Sequence, residues 1–210
     1  RISITPLAKK IQSDILVMWV EQKSESEITQ FLKHHYNRVL NGDIELKDLI
    51  NRSRLREDRL NYKCSSCAKK YTWKEAIDAR KNSLSYSFCV GCGNDLKLLT
   101  IEGKTPSVGS GIEGVLWFNQ NGGSIEDSYI YMKVADDSNR VKYVNPVTGI
   151  SKRPSYISTN NIEEMEQFIP DYSYYAESIL KKADPIYRAM DWDLEPIRRD
   201  INQRTLDEWF

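Results

Sequence analysis

Four cysteines in two matched pairs are the residues in this chain with the most definite chemistry. Cys64-Ser65-Ser66-Cys67 and Cys89-Val90-Gly91-Cys92 each hold two thiols three positions apart, and 21 residues separate the pairs. This spacing lets one tight turn present two thiolates, and two such turns complete a tetrahedron around a zinc ion. All four ligands would be protein thiolates, which leaves no position for water, so the expected Zn2+ is structural and not catalytic. The competing reading is a redox pair or free thiols; two matched turns, the second followed by Gly93, argue against it. Tyr71, Trp73, Tyr86 and Phe88 lie between the pairs. They could stack on bases, but such aromatics more often form the small core of a zinc ribbon.

The charges come next. The chain has 210 residues and no net charge, with 30 Lys and Arg against 30 Asp and Glu. The balance conceals an uneven spread. Between Arg52 and Lys81 ten basic residues face four acidic ones, and between Glu163 and Phe210 six face twelve. A local basic block can hold phosphates in a chain that is neutral overall, and its plainer reading is a solvated face. The chain closes on Gln203-Arg204-Thr205-Leu206-Asp207-Glu208-Trp209-Phe210. One helical turn would put Leu206 beside Trp209 and Phe210 as an apolar plug, and Gln203 offers a donor and an acceptor to a polar pocket. Gln-x-x-Leu-x-x-aromatic-aromatic is the pattern of a peptide that binds the PCNA sliding clamp. The alternative is that Trp209 and Phe210 fold back onto their own domain.

Composition bounds what can carry these features. Apolar residues make up 40% and charged residues 29%, which is ordinary for a globular protein. No run reaches the ~18 apolar residues of a membrane helix, and Arg1 to Lys10 has no secretory apolar core, so no membrane and a reducing cytoplasm are expected.

Periodicity then gives the elements. Leu7, Ile11, Ile15, Met18 and Trp19 predict a helix over 7–22. Ser24 stands three residues before Glu27 as a capping box, opening a helix with Ile28, Phe31, Leu32, His35, Tyr36, Val39 and Leu40 on a broad face, which Asn41-Gly42 ends. A third helix is expected over Leu46 to Ile50, running on towards Leu60. After the cysteines, Gly103, Pro106, Gly109, Gly111 and Gly114 read as an irregular loop. Ile112–Phe118, Tyr129–Val134 and Val141–Val144 read as strands, with turns at Asn121-Gly122-Gly123 and Asp136–Asn139. Ile162–Phe168 is helical in texture. A longer helix is expected after Pro170, with Asp171 near its cap, ending about Met190 and broken or kinked at Pro185. Residues from Glu195 on read as a tail. His34 and His35 read as helix-face residues.

The two ends of the chain resemble the thumb of a B-family DNA polymerase, especially an archaeal one. Pro6-Leu7-Ala8-Lys9-Lys10-Ile11-Gln12-Ser13-Asp14-Ile15-Leu16 resembles the segment entering the thumb. Asn41-Gly42-Asp43-Ile44-Glu45-Leu46-Lys47-Asp48-Leu49-Ile50 resembles a thumb stretch, and Leu55, Leu60 and Tyr62 fit the residues that come after that stretch in the family. Ile169-Pro170-Asp171-Tyr172-Ser173-Tyr174-Tyr175 resembles a signature that in the family carries paired tyrosines, and Ile179-Leu180 with Pro185-Ile186-Tyr187-Arg188 resembles the helix after it. A terminal clamp peptide is also usual in archaeal members. The resemblance covers about half of the chain and rests on order and spacing. The zinc ribbon and the segment after it depart from the family's pattern.

The family's catalytic signatures are missing: there is no Asp-Thr-Asp turn and no nucleotide-selecting palm motif. Asp191-Trp192-Asp193 comes after the thumb helix and reads as surface acids. The resemblance therefore implies a non-catalytic small subunit of a split polymerase, or a fragment. The catalytic carboxylates and Mg2+ would sit on a large partner subunit. Such a thumb grips duplex DNA through phosphates, here through Arg52, Arg54, Arg56, Arg59, Lys63, Lys69 and Lys70. The expected fold is α+β. A helical thumb-like domain comes from 1–62 and 161–194, a zinc ribbon from 63–100 and a small antiparallel β subdomain from 101–160. Residues 195–210 form a flexible tail with the clamp peptide. Localisation would be cytoplasmic in an archaeon and nuclear in a eukaryote. Two rivals remain: a clamp-tethered zinc-ribbon adaptor of replication or repair, and a clamp-bound metal-dependent nuclease using Asp191, Asp193 and Glu195.

Overall fold

The computed structural model describes residues 4–55, 61–64, 66–72, 91–93, 96–98, 110–125, 127–136, 141–144 and 151–198. The fold is α+β and divides into two compact units. Residues Arg1–Asn51 and Pro170–Phe210 form the first, and Arg52–Ile169 the second. Among the described residues no helix is long and apolar enough to cross a membrane.

The first unit is helical, and local signals set its helices. Helix α1 spans Pro6–Val20; Thr5 caps it by accepting from the Ala8 N–H at 3.2 Å, and Pro6 occupies a first-turn position where no N–H is needed. Helix α2 spans Glu25–Leu40. Its capping box closes in both directions: Ser24 Oγ accepts from Glu27 N at 3.3 Å, and Glu27 Oε2 accepts from Ser24 N at 2.8 Å. Past its end, Gly42 takes a left-handed φ of 74°. A side chain there would also press on the Tyr172 ring, 3.2 Å from the site of a Cβ. Helix α3 is one turn, Leu46–Leu49.

The partner of α1 and α2 comes from the far end of the sequence. Asp171 caps helix α5, Tyr172–Ala189, by accepting from Tyr174 N at 2.9 Å. Ile11 and Ile15 of α1, Ile28 and Leu32 of α2, and Ile179, Leu180 and Ala183 of α5 are all buried to within a few per cent. Each such aliphatic side chain contributes about 1.5–3 kcal/mol of burial, which holds the three helices together. Two polar contacts fix their register: Thr29 Oγ1 and the Tyr187 hydroxyl share a hydrogen bond of 3.1 Å, and the Tyr36 hydroxyl donates to Glu177 at 3.5 Å.

Three expectations change in this unit. The third helix does not run towards Leu60; it gives way at Ile50 to a strand. Pro185 does not break α5, which continues four residues past it. The carbonyl that loses its partner is that of Lys181, an exposed residue where water can serve. Residues 195–198 are helical, with Leu194 and Ile197 buried, so a tail cannot begin at Glu195.

In the second unit, strands β1 (Asn51–Arg54), β5 (Ser128–Lys133) and β8 (Tyr156–Thr159) form a sheet in the order β1-β5-β8. Strands β5 and β8 are antiparallel, with Ile130 opposite Thr159 and Met132 opposite Ile157. The segment Ile112–Phe118, expected as a strand, is instead the middle of helix α4, Ser110–Gln120. Its apolar residues run without alternation, and Gly111 and Gly114 are not loop residues. Gly114 lets the helix lie directly on β8, where a Cβ would stand 2.5 Å from the backbone nitrogen of Ser158. Ser158 Oγ in turn donates to the Gly111 carbonyl at 2.9 Å. Among the described residues this unit also holds a 3-10 turn at Glu163–Met165 and two smaller sheets. One joins β6 (Tyr143–Val144) to β7 (Ser151–Lys152), and the other joins β2 (Asn61–Cys64), β3 (Lys70–Thr72) and β4 (Leu96–Leu98).

Candidate functional site

The first of the expected zinc ligands, Cys64, belongs to the β3-β2-β4 sheet. Strand β2 is central and antiparallel to both neighbours, with Lys63 opposite Lys70 on one side and Cys64 opposite Leu96 on the other. Cys64 thus ends the central strand, and Cys67 lies in the turn that returns to β3. Leu96, the first residue of β4, stands opposite Cys64, and Cys92 precedes it by four residues in the sequence. The residue following each Cys-x-x-Cys has a left-handed backbone: Ala68 at φ 59° and Gly93 at φ 75°. That conformation costs an alanine roughly 1–2 kcal/mol, so a common geometry after both pairs asks for a common cause. A left-handed residue in a turn swings successive backbone N–H groups towards one point, an arrangement that receives anions such as thiolates. Cys67 and Cys92 are exposed, and Cys89 lies outside the described residues. Among the described residues no three His, Cys, Asp or Glu side chains are grouped to hold a metal. The described geometry therefore supplies a left-handed residue after each Cys-x-x-Cys and places Cys64 at the end of the central strand.

The cationic residues divide between two sheets. Arg52 and Arg54 fall on β1, where alternation puts them on one face, and both are exposed. The third helix stops at Leu49 short of them, so a strand positions these two arginines. Lys63 and Lys70 are cross-strand neighbours by register, and Lys69 is exposed. Arg56 and Arg59 lie outside the described residues, as do the clamp-peptide positions Gln203, Leu206, Trp209 and Phe210.

The acids after α5 have structural work. Asp191 turns the chain with a φ of 58°. Asp193 Oδ1 accepts from Glu195 N at 2.9 Å, capping the next helical turn, and Glu195 pairs with Arg198 at 3.2 Å. Trp192 between them packs edge-on against Tyr187, with ring centroids 5.6 Å apart. On α2, His35 meets Phe31 edge-on at 4.5 Å, and burial, helped by the neighbouring His34, holds its pKa below the ordinary imidazole value. Both histidines thus stay helix-face residues.

One polar centre lies outside the residues that the sequence motifs single out. Glu113 on α4 is 6% exposed, yet it is fully partnered. Its Oε1 accepts from the Tyr143 hydroxyl at 3.0 Å and pairs with the Lys152 ammonium, and its Oε2 accepts from Ser155 N at 3.3 Å. A buried carboxylate is held this way because an unpaired one would cost several kcal/mol. The signal available beforehand was a lone acid in the otherwise apolar run from Gly111 to Phe118, which assignment to a strand disguised. No protein-family model matches the chain, and no curated protein matches it.

Proposed function

We propose that this chain is the thumb of a B-family DNA polymerase, present as the small subunit of a split enzyme or as a fragment of one. The observation that carries the reading is the discontinuous helical unit. Segments 6–16, 41–50, 170–175 and 179–188, which carry most of the resemblance, fall within the one unit formed by Arg1–Asn51 and Pro170–Phe210. Residues 52–169 then stand as an insertion between its halves.

On this reading the chain makes and breaks no bonds itself. A large partner subunit holds the catalytic carboxylates and two Mg2+ ions, which stabilise the attacking and leaving oxygens of nucleotidyl transfer. The thumb grips the product duplex through phosphates and raises processivity without reading sequence. Arg52 and Arg54 on β1 and the lysines around the first cysteine pair are the contacts proposed for it. The β3-β2-β4 sheet is a zinc ribbon, with Cys64, Cys67, Cys89 and Cys92 holding a structural Zn2+. Gln203, Leu206, Trp209 and Phe210 tether the complex to PCNA, which turns each rebinding to DNA into a local event at high effective concentration. The site of action is the cytoplasm of an archaeon, or the nucleus of a eukaryote.

The test pairs two measurements. Primer extension by a B-family catalytic subunit lacking its own thumb is run with and without the purified chain and the clamp. Longer products with the chain are expected, and replacing Leu206, Trp209 and Phe210 by Ala should remove both clamp binding and the clamp's contribution to product length. Products of unchanged length at every salt concentration would sink the polymerase reading. Clamp binding that survives the triple substitution would sink the peptide assignment.

A further inference from the structure

Helix α4 carries Glu113 and Trp117 one turn apart, and both grip the same two-stranded ribbon. Trp117 Nε1 donates to the Val141 carbonyl at 3.1 Å, at the entry to β6. Glu113 receives Tyr143 from β6 and Lys152 from β7, which lie opposite each other in the antiparallel register. One face of the ribbon is therefore fixed to the helix, with the Lys152 charge neutralised there.

The other face differs. Lys142 and Arg153 flank the ribbon, just before β6 and just after β7, and continuing its register by one step would set them across from each other. Alternation continued across the strand ends would turn these flanking residues away from Tyr143 and Lys152. Both residues are exposed, and among the described residues neither is held in an ion pair. Like charges directly opposite on neighbouring strands are destabilising. Nothing nearby in sequence relieves them: from Ser138 to Ile162 the chain has Arg140, Lys142, Lys152 and Arg153 and no Asp or Glu. An anion lying across the two strands removes that repulsion. A single free phosphate needs enclosing donors to be held, whereas a polyanion is retained by spaced surface cations through release of its counterions. An open ribbon with two facing cations on a rigid mount suits the second.

We propose that the outward face of the β6–β7 ribbon, through Lys142 and Arg153, contacts the sugar–phosphate backbone of a nucleic acid. This site is separate in sequence from the basic run before Cys64, and the inference rests on the duplex-gripping reading only for the choice of probe. It carries no base-reading role, because it offers point charges alone.

The experiment measures binding of the full chain to a fluorescent primer–template duplex by anisotropy, at salt concentrations between about 50 and 200 mM. The variant Lys142→Ala/Arg153→Ala is compared with Lys9→Ala/Lys181→Ala, which removes two exposed cations from the other unit and leaves the same net charge. The ribbon variant should bind roughly tenfold more weakly at low salt and lose about 1.8 from the slope of log K against log salt, at about 0.9 per phosphate. The control pair should change the slope much less. The ribbon variant should also melt no lower than the wild type, since it relieves a like-charge pair. If it does melt lower, Arg153→Gln alone carries the test, with half the change in slope. Equal slopes for the two double variants overturn the proposal, as does equal ribbon-dependent binding to phosphatidylserine vesicles. Duplex binding that is indifferent to the ribbon removes this contact and leaves the polymerase reading standing. Ribbon-dependent binding by a chain that never lengthens primer products keeps the contact and removes the polymerase reading.

Discussion

Replacing Gly114 by Ala sets two effects of opposite sign against each other at one position. Helix propensity alone favours the change by about 1 kcal/mol, because Ala is the best helix former and Gly among the poorest. Packing opposes it. A Cβ at 114 would stand 2.3 Å from Ser158 Oγ, 2.5 Å from Ser158 N and 2.8 Å from the carbonyl carbon of Ile157. Two of these three are backbone atoms of β8, so no side-chain rotation relieves the overlap and the helix must lift. Overpacking of this kind costs about 1–3 kcal/mol. Lifting also pulls Ser158 Oγ from the Gly111 carbonyl, another ~1 kcal/mol. The balance is a net loss of about 2 kcal/mol, or roughly 4–8 °C in melting temperature for a chain of this size. Gly111→Ala is the internal control: its nearest neighbour is the end of the Tyr129 side chain at 2.6 Å, which can swing aside. The assay is thermal melting monitored by near-ultraviolet circular dichroism, with hydrogen exchange of the β5 and β8 amides to localise the effect. A Gly114→Ala protein that melts at or above the wild type, as propensity alone requires, would refute the close seat of α4 on β8.

Two other local features have measurable outcomes. The Ser24 N–H and hydroxyl that Glu27 accepts hold its carboxyl below the ordinary value. Its contribution to stability is therefore present above the ordinary carboxylate pKa and lost as pH falls through the lowered one; Glu27→Gln should flatten the acid limb of the melting-temperature profile, and an unaltered limb would count against the capping box. If the β3-β2-β4 sheet is built around zinc, the purified chain should contain one zinc per molecule by atomic emission, and chelation or Cys92→Ser should expose the β2 and β4 amides to exchange while leaving α1, α2 and α5 protected. A chain free of zinc that keeps this protection would rule out the metal.

The helical unit was largely legible beforehand because its signals are local. Ser24 with Glu27 and Asp171 are side chains acting on backbone three residues away, and Asn41-Gly42 ends α2 through its own backbone, while the Thr5 cap of α1 went unread. What they could not show is that α5 completes the core of α1 and α2 from beyond position 170. The strand assigned to Ile112–Phe118 went wrong for a tertiary reason. A helix buried on several sides shows little 3.6-residue alternation, and glycines that look like loop punctuation serve there as a notch for a neighbouring strand. The same error hid Glu113, whose role depends on Tyr143 and Lys152, some thirty and forty positions downstream. For the proposed metal site, the spacing of the cysteines names the expected ligands, while the left-handed Ala68 was invisible because alanine carries no signal for that conformation.

The split origin of the helical unit has a consequence for how the protein is made. Helices α1 and α2 leave the ribosome before the surface that completes the cover of Ile28, Leu32 and Tyr36, which begins at Tyr172, roughly 130 residues after Leu40. At about 5–20 residues per second, that interval is on the order of ten seconds. In that time the intervening unit can fold by itself, and the early helices remain a sticky, half-made core. Synthesis thus imposes an order in which the middle of the chain matures first and its two ends last.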